Sequence, residues 1–429
     1  LYTILDVSRL ISCVRRNSPS GIDRVEMAYA KRWLGEPPAT CSFAAQSVWG
    51  WFGLVPRELV AALVSALDLT WMHGPEAGGA LGRARRIAAR LHARLAGGAG
   101  RAALHAELEA HRHAIFLLVS HRSLERGAPI AALRRAGARF VPLIHDLIPL
   151  THPEYSRSRQ VAHHAARVAT TAAQADGIIV NSAFTASTLL PRLAQHGRAA
   201  PPLAIAPLGV DLPTTPPPLL PPEPYFVGLG TIEPRKNHLL LLHVWREMAA
   251  RARALPGTPP PPKLLLLGRR GWENENVVDL LERCELLRGA VQELGTPPDA
   301  EVARLVANAS ALLFSSFVEG YGLPVAEALS LGTPVICSDT APLREVGGDV
   351  PDYLDPLDGP AWTARVEAYA APDSAARAAQ CARLRHWSRP LWSDHFDAVD
   401  SLLEQIVGLP RPALQPLPQP MPSREPSLA

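Results

Sequence analysis

Short, continuous apolar runs alternate along this chain with longer stretches whose apolar residues recur at helical spacing. Residues 2–8 (YTILDVS), 41–48, 67–72, 114–120, 139–144 and 177–181 have strand length and little polar alternation, the pattern of strands buried on both faces. Helices are predicted at 22–34, 56–67, 131–136, 160–175 and 184–193, and LAIAPLGVD (203–211) closes the first half. The alternation restarts with strands at 225–229, 263–267, 291–294, 311–314 and 334–337. Helices are predicted at 238–254, 277–287, 299–308 and from Pro324 onward, and 360–407 reads as mostly helical. The pattern predicts an α/β protein with two parallel-sheet domains. Ligands on such sheets gather at the carboxyl ends of the strands.

Between the halves lies PTTPPPLLPPEP, residues 213–224. Proline fixes φ and lacks the N–H donor, so this is neither helix nor central strand. It reads as a stiff linker, with a first domain over 1–212 and a second over 225–385. A further helical segment is expected at 386–408. The proline-rich tail, 409–429, has the composition of a disordered segment.

The 429 residues are 47% apolar and carry a formal net charge of +3, too small for a broad nucleic-acid surface, so no nucleic-acid partner is expected. The five cysteines are scattered without metal-ligand or disulfide spacing, which points to a reducing cytosol. No apolar run reaches the roughly 20 residues of a membrane helix. The chain begins at Leu1 rather than Met, which leaves a missing leader open. Between Gly-rich stretches, Ile87, Leu91 and Leu95 share one helical face, beside Arg83, Arg86, Arg90 and Arg94. Such a helix can pack a narrow apolar edge on its own domain or lie on an anionic membrane. The packed arrangement is the expectation.

The chemistry concentrates in FSSFVEGYGLPVAEALSLGTPVICSD, residues 314–339. A strand gives way to a glycine-rich turn, and a helix opens near Pro324, where a missing N–H costs nothing. Gly320 and Gly322 permit close approach of a ligand, and the free N–H groups of the helix start form an anion site. Glu319 before the helix and Glu327 within it flank that site. A ligand that is part phosphate and part polyol, such as a nucleotide sugar, fits this composition. GTIEPRKN (230–237) follows the first strand of the second half. Arg235 and Lys236 there can neutralise a diphosphate, the first as a fork and the second as a point charge. Cations at a helix start are unfavourable unless an anion is bound. His145, in LIHDLIPLTHPEY, and Asn181 and Ser182 stand at strand ends of the first half. Gly21 precedes the helix 22–34, where Arg24 lies in the first turn and Arg15 and Arg16 come before the loop. Backbone access for a ligand at Gly21 and ordinary turn chemistry weigh about equally.

The string EGYGLPVAEALSLGTPVICSD closely resembles the nucleotide-sugar loop of the retaining glycosyltransferases of family 4, which have the GT-B fold. TIEPRKN and HDLIPLTHPEY are similar to a branch that includes bacterial mannosyltransferases of cell-surface polysaccharides. The resemblance covers about 140–360 well and the first hundred residues weakly. It implies that Glu327 accepts hydrogen bonds from the ribose, that Glu319 holds the transferred sugar, and that N–H groups of Tyr321 to Leu323 meet the diphosphate or the sugar. It also implies that His145 faces the donor sugar across a cleft, with His152 and Glu154 as weaker candidates in the same loop. Gly268, Arg269 and Thr296 lie where the base would stack. Gly230 and Thr231 begin the cationic loop. Lys236 matches the family's lysine, but Thr231 stands where the family commonly has arginine, which leaves open whether Arg235 replaces it. As in the GT-B fold, the segment 386–408 would cross back to the first domain.

No Asp-x-Asp occurs, so neither a metal nor another cofactor is expected. Arg235, Lys236 and the helix start would stabilise the leaving group. The expected activity is retaining transfer of a hexose, mannose from GDP-mannose, to a lipid-linked or polysaccharide acceptor. The expected place is the cytoplasm or the inner face of its membrane. A UDP-sugar donor, a sugar-nucleotide epimerase and a non-catalytic GT-B protein are the alternatives.

Overall fold

The computed structural model describes residues 1–197, 199–212 and 224–409. The linker expected at 213–224 and the tail expected at 409–429 fall outside these residues, except for Pro224 and Leu409.

The chain builds two sheets. The first contains β1 (Thr3–Asp6), β2 (Cys41–Gln46), β3 (Phe52–Val55), β4 (Ile115–Leu118), β5 (Arg139–Ile144), β6 (Ile178–Val180) and β7 (Leu203–Ile205), in spatial order β3-β2-β1-β4-β5-β6-β7. The second contains β8 (Tyr225–Leu229), β9 (Lys263–Leu267), β10 (Val291–Gly295), β11 (Ala311–Phe314), β12 (Val335–Ser338) and β13 (Asp352–Leu354), in order β10-β9-β8-β11-β12-β13. Pairing is parallel except between β2 and β3. β1, β4, β5, β11 and β12 are buried throughout, so their apolar runs match a sheet covered on both faces. In each sheet the strand order reverses beside the first strand, between β1 and β4 and between β8 and β11. A crevice opens at such a point at the carboxyl edge.

The strand expected at 67–72 is a correction. Those residues continue the helix Arg57–His73. Val60, Leu63, Val64, Leu67 and Trp71 are buried. Their spacing of three and four is helical, and no turn residue breaks it. The edge strand β3, the helices Ser8–Cys13, Arg101–Ala110 and Ala341–Gly347, and β13 were not expected. Each is short or joins its neighbour without a distinct turn signal. Helix Gly21–Leu34 starts on a capping box: Ser20 Oγ accepts from Asp23 N, and the Asp23 carboxylate accepts from Ser20 N at 2.6 Å. In the helix Ala80–Ala96, Leu91 and Leu95 are buried and Ile87 is half-buried, while Arg83, Arg86, Arg90 and Arg94 are exposed. Among the described residues no helix is long and apolar enough to cross a membrane.

The last helix, Trp392–Gly408, packs on the first sheet's domain. His395 Nε2 accepts from Tyr29 Oη at 2.7 Å, and its Nδ1–H donates to Ala206 O at 3.0 Å. A Cβ at Gly209 would lie 2.3 Å from Trp392 N, and one at Gly177 would lie 3.1 Å from Ile406 Cγ2. The close approach at Gly209 therefore requires glycine.

Two carboxyl groups are sealed beneath the first sheet's edge. Asp6 Oδ1 accepts from Ser8 Oγ at 2.5 Å, and Glu26 Oε1 accepts from Leu10 N at 2.8 Å. Among the described residues Asp6 Oδ2 has no hydrogen-bond partner within bonding distance, and Ser120 faces the Glu26 carboxyl. Burial pushes Asp6 up to about 7; burial and then the Asp6 charge push Glu26 up to about 8. The folded protein therefore holds protons here that the unfolded chain releases near pH 4. Stability should fall as pH rises from about 5 to about 8, by up to about 1.4 kcal/mol per pH unit for each group. Urea unfolding across that range should show this slope in the wild type and lose it in the Asp6→Asn/Glu26→Gln variant. Equal slopes would mean that the pair is already ionised.

Candidate active site

The carboxyl edges of the two sheets face one another across a cavity of about 1020 Å³. After β8, Gly230 adopts φ +145 and Gly268, after β9, adopts φ +157. A Cβ at Gly268 would lie 1.9 Å from Gly230 O, so the two loops touch through bare backbone. The short turn Pro234–Lys236 follows, ending on Asn237 at φ +53. It is fastened to the loop after β11: Phe317 N donates to Arg235 O at 2.8 Å, and Ser315 Oγ donates to Lys236 O at 3.1 Å.

These bonds bring two cations onto one carboxylate. Lys236 Nζ reaches Glu319 Oε1 at 2.5 Å, and Arg235 Nη1 reaches Oε2 at 2.9 Å. Arg235 Nε also meets Glu233 Oε1 at 2.6 Å. Lys236 Nζ stands 4.4 Å from the Phe314 ring centre, within cation–π range. Burial alone would raise the Glu319 carboxyl, but Arg235 and Lys236 outweigh it and hold it down at about 2. Burial depresses Lys236 more than Glu319 raises it. The cluster thus sets the two acidic side chains Glu233 and Glu319 against the two basic ones, Arg235 and Lys236, and an arriving anion would compete with Glu319 for both.

Gly320 to Leu323 lead from Glu319 into the helix Leu323–Ser330, which has Gly322 at φ +113 as its N-cap. The first-domain loop after β5 closes on this turn. A Cβ at Gly320 would lie 2.5 Å from His145 O and 2.8 Å from Asp146 Cβ. Gly320 O accepts from Ser182 Oγ at 2.9 Å. Nearby, Glu345 accepts from Ala183 N and Phe184 N at 2.7 and 2.8 Å, so a second-domain carboxylate caps the first-domain helix Ala183–Ala194. On another side, Arg24 forms a fork with Asp299, both bonds 2.7 Å. Tyr155 stacks on Phe317 at 5.3 Å, and Arg157 lies over Trp272 at 5.8 Å.

His145 is buried with Nε2 2.7 Å from Val119 O, so Nε2 carries the proton and Nδ1 is an acceptor. Burial, opposed by that hydrogen bond, lowers it to about 4, and the ring is neutral. Its main-chain N–H donates to His121 Nε2 at 3.1 Å, and Asn181 Nδ2 donates to His145 O at 2.9 Å. Glu327 is half-buried; burial raises its pKa against the pull of Arg24.

Most sequence candidates line this one cavity: Gly21, His145 and Asn181 from the first domain; Gly230, Thr231, Arg235, Lys236, Gly268, Arg269 and Thr296 from the second; and the run Glu319 to Leu323 with Glu327. Ser182 does not line it; its hydroxyl accepts from Thr185 N and donates to Gly320 O, which fixes the turn from behind. His152 and Glu154 also lie off the cavity, and His152 Nδ1 bonds Thr151 Oγ1. Sequence reasoning missed the Arg24–Asp299 bridge, Tyr155, Trp272 and, apart from Arg16 and Arg24, the arginines of the first-domain wall. Only the register of the two domains brings these together. Among the described residues no group of three or more His, Cys, Asp or Glu is placed to hold a metal ion.

A fold of two facing α/β sheets with this cleft is the GT-B fold. Two solved structures share it: Anabaena Alr3699/HepE in complex with UDP and glucose (TM-score 0.62, 15% identity, 95% of this chain and 100% of that one) and sucrose-phosphate synthase from Thermosynechococcus elongatus (TM-score 0.60, 18% identity, 95% and 99%). Residues 216–350 match the family described as glycosyl transferases group 1, so the chain carries a domain of that family. It is homologous to O-antigen chain mannosyltransferase B of Escherichia coli, at 31% identity over 236 residues, 53% of this chain and 60% of that protein. The serotype-specific mannosyltransferase WbdA of Escherichia coli is 28% identical over 246 residues, 53% of this chain and 29% of that protein. The chain thus spans less than two thirds of the length of either relative.

Removing one partner of a buried ion pair leaves the other uncompensated, at a cost of about 3–5 kcal/mol. Lys236→Met should lower stability by about 3 kcal/mol. Adding Glu319→Gln should restore at least about 1 kcal/mol of it. A double-mutant cycle by urea unfolding measures this, and additive losses would show that the pair is uncoupled.

Proposed function

We propose that the chain is a retaining glycosyltransferase of cell-surface glycan synthesis, moving mannose from GDP-mannose to a lipid-linked or polysaccharide acceptor. The observation that carries this reading is Glu319 gripped by Arg235 and Lys236 beside the start of helix Leu323–Ser330, opposite His145. In this reading the donor's diphosphate takes Arg235, Lys236 and the N–H groups of Tyr321 to Leu323 as its partners. Released from those cations, Glu319 accepts hydrogen bonds from the sugar hydroxyls, and Glu327 accepts from the ribose. Gly268, Arg269 and Thr296 meet the base, and Gly21 gives close approach from the first domain.

As the sugar–phosphate bond lengthens, positive charge grows on the sugar and negative charge on the leaving diphosphate. The two cations and the helix start stabilise that negative charge without reorganising, in a cleft whose closure on the donor would exclude water. The leaving phosphate accepts the proton of the acceptor hydroxyl, which attacks from the same face. The neutral His145 supplies a hydrogen-bond acceptor at the sugar and no charge. No metal and no cofactor enters this scheme. The names of the Escherichia coli relatives support mannose and O-antigen-type acceptors. A UDP-sugar is the second donor reading, since HepE was solved with UDP and glucose. Contact with the inner face of the cytoplasmic membrane through Arg83, Arg86, Arg90 and Arg94 belongs to the proposal. It predicts sedimentation with anionic vesicles at low salt, and its absence would remove that part.

A ligand that binds only the folded state raises Tm. In a thermal-shift panel of GDP-, UDP- and ADP-sugars, GDP-mannose should give the largest rise, unchanged by EDTA and lost in Lys236→Ala. Stabilisation by UDP-sugars alone would reject GDP-mannose. Dependence on manganese would reject the metal-free scheme.

A further inference from the structure

The cavity walls differ in charge. The second-domain wall has three cations (Arg235, Lys236, Arg269) against four carboxylates (Glu233, Asp299, Glu319, Glu327). The first-domain wall has seven arginines against Glu125 and Asp146. Some of that excess is already committed: Arg9 and Arg16 share Asp23, Arg24 holds Asp299, and Arg167 lies 3.4 Å from Glu125. Arg122 and Arg126 are not. Both are exposed on the cavity wall, and among the described residues neither forms a salt bridge with a carboxylate; the Arg122 charge acts on the buried Asp6 without a direct ion pair.

The loop that carries them is tied to an exposed apolar turn. Val48 and Trp49, between β2 and β3, are 65% and 73% exposed. Gln46, itself on the cavity wall, bridges the two loops: its Oε1 accepts from Ser123 Oγ at 2.5 Å, and its Nε2 donates to Gly50 O at 3.1 Å. Gly50 adopts φ +94, and a Cβ there would stand 3.6 Å from Arg126 Nη1. Ser123 holds φ +70, a strained backbone for a residue with a side chain, and is pinned by the Gln46 bond and by Arg126 N donating to its carbonyl at 3.0 Å. Trp49 is oriented by its Nε1–H on Ala96 O at 3.2 Å. The Arg126 guanidinium thus lies by Gly50, the chain neighbour of an ordered but uncovered indole, and Arg122 stands on the same loop as Arg126. A fork suits phosphoryl oxygens, and an exposed indole suits an apolar chain that also has a polar end.

We propose that this edge is a site for the phosphate of a lipid phosphate or diphosphate. Arg122 and Arg126 hold the phosphoryl oxygens, and Val48 and Trp49 cover the first carbons of the lipid chain. The ligand is the acceptor of the reaction proposed above, and only that word rests on the glycosyltransferase reading. The site is distinct from the donor cluster at Lys236 and Glu319.

The probes are farnesyl diphosphate, inorganic pyrophosphate and farnesol, titrated calorimetrically into the full chain below the lipids' micelle concentrations. Each is titrated with and without a saturating amount of the nucleoside diphosphate that most raises Tm. Farnesyl diphosphate should bind at least tenfold more tightly than either other probe, and without displacing the nucleotide. Arg122→Ala/Arg126→Ala should weaken it at least tenfold. Trp49→Ser should weaken farnesyl diphosphate about fivefold or more and leave pyrophosphate within twofold. Arg122→Gln/Arg126→Gln repeats the test if the alanine pair does not fold. Unchanged affinity in the arginine variants overturns the site. Farnesol as tight as the diphosphate overturns its phosphate part, and pyrophosphate as tight as farnesyl diphosphate overturns its lipid part. Competition with the nucleotide places the probe in the donor cluster and also overturns it. A nucleotide-induced Tm rise that persists in any of these cases leaves the glycosyltransferase reading standing.

Discussion

Glu319 paired with both Arg235 and Lys236 in a buried cleft is the constraint on which the site depends. Taking three charges out of water is costly, and the chain offsets this by placing them within hydrogen-bond distance of one another. The local architecture serves that placement. Strands β8 and β11 are neighbours in the second sheet, so the loops that follow them leave side by side. The bonds from Phe317 N and Ser315 Oγ then fix the cationic turn against the glutamate's loop. With both cations already ordered, the diphosphate of the proposed donor would exchange for a carboxylate and would not have to organise two flexible side chains.

The same constraint explains why the two domains close where they do. Gly320, next to Glu319, has room for no side chain because the His145–Asp146 loop presses on it. Its carbonyl is taken by Ser182, and Asn181 holds the His145 carbonyl. Glu345 and the Arg24–Asp299 fork tie the two domains at other points around the cavity. These ties are polar contacts at the ends of strands and helices, beside an apolar cluster that draws on both domains. Such contacts suit a cleft that must open for its ligands. The last helix supplies the fixed connection, with His395 between Tyr29 and the 206–207 backbone.

Much of this was legible before any coordinates. Continuous apolar runs marked the buried strands, and the glycines and Pro324 marked the turn and helix start that, with the two glutamates, line the cavity, because local spacing encodes local structure. The stretch 67–72 misled because LDLTWM has strand length and composition, whereas the burial of Leu67 and Trp71 follows the period set by Val60 and Leu63 further back. Ser182 carried the right strand-end position, but its direction depends on the other domain's Gly320. The Arg24–Asp299 bridge and the Trp49–Arg126 edge join residues far apart in sequence, and no local pattern signals such pairs.

The central claim is that an arriving diphosphate displaces Glu319 from its cations. A crystal structure of the chain with its nucleotide sugar tests it most directly. The account predicts phosphoryl oxygens within hydrogen-bond distance of Lys236 Nζ and the N–H groups after Gly322, with Glu319 turned to the sugar. Phosphates bound elsewhere, with the Lys236–Glu319 pair intact, would contradict it.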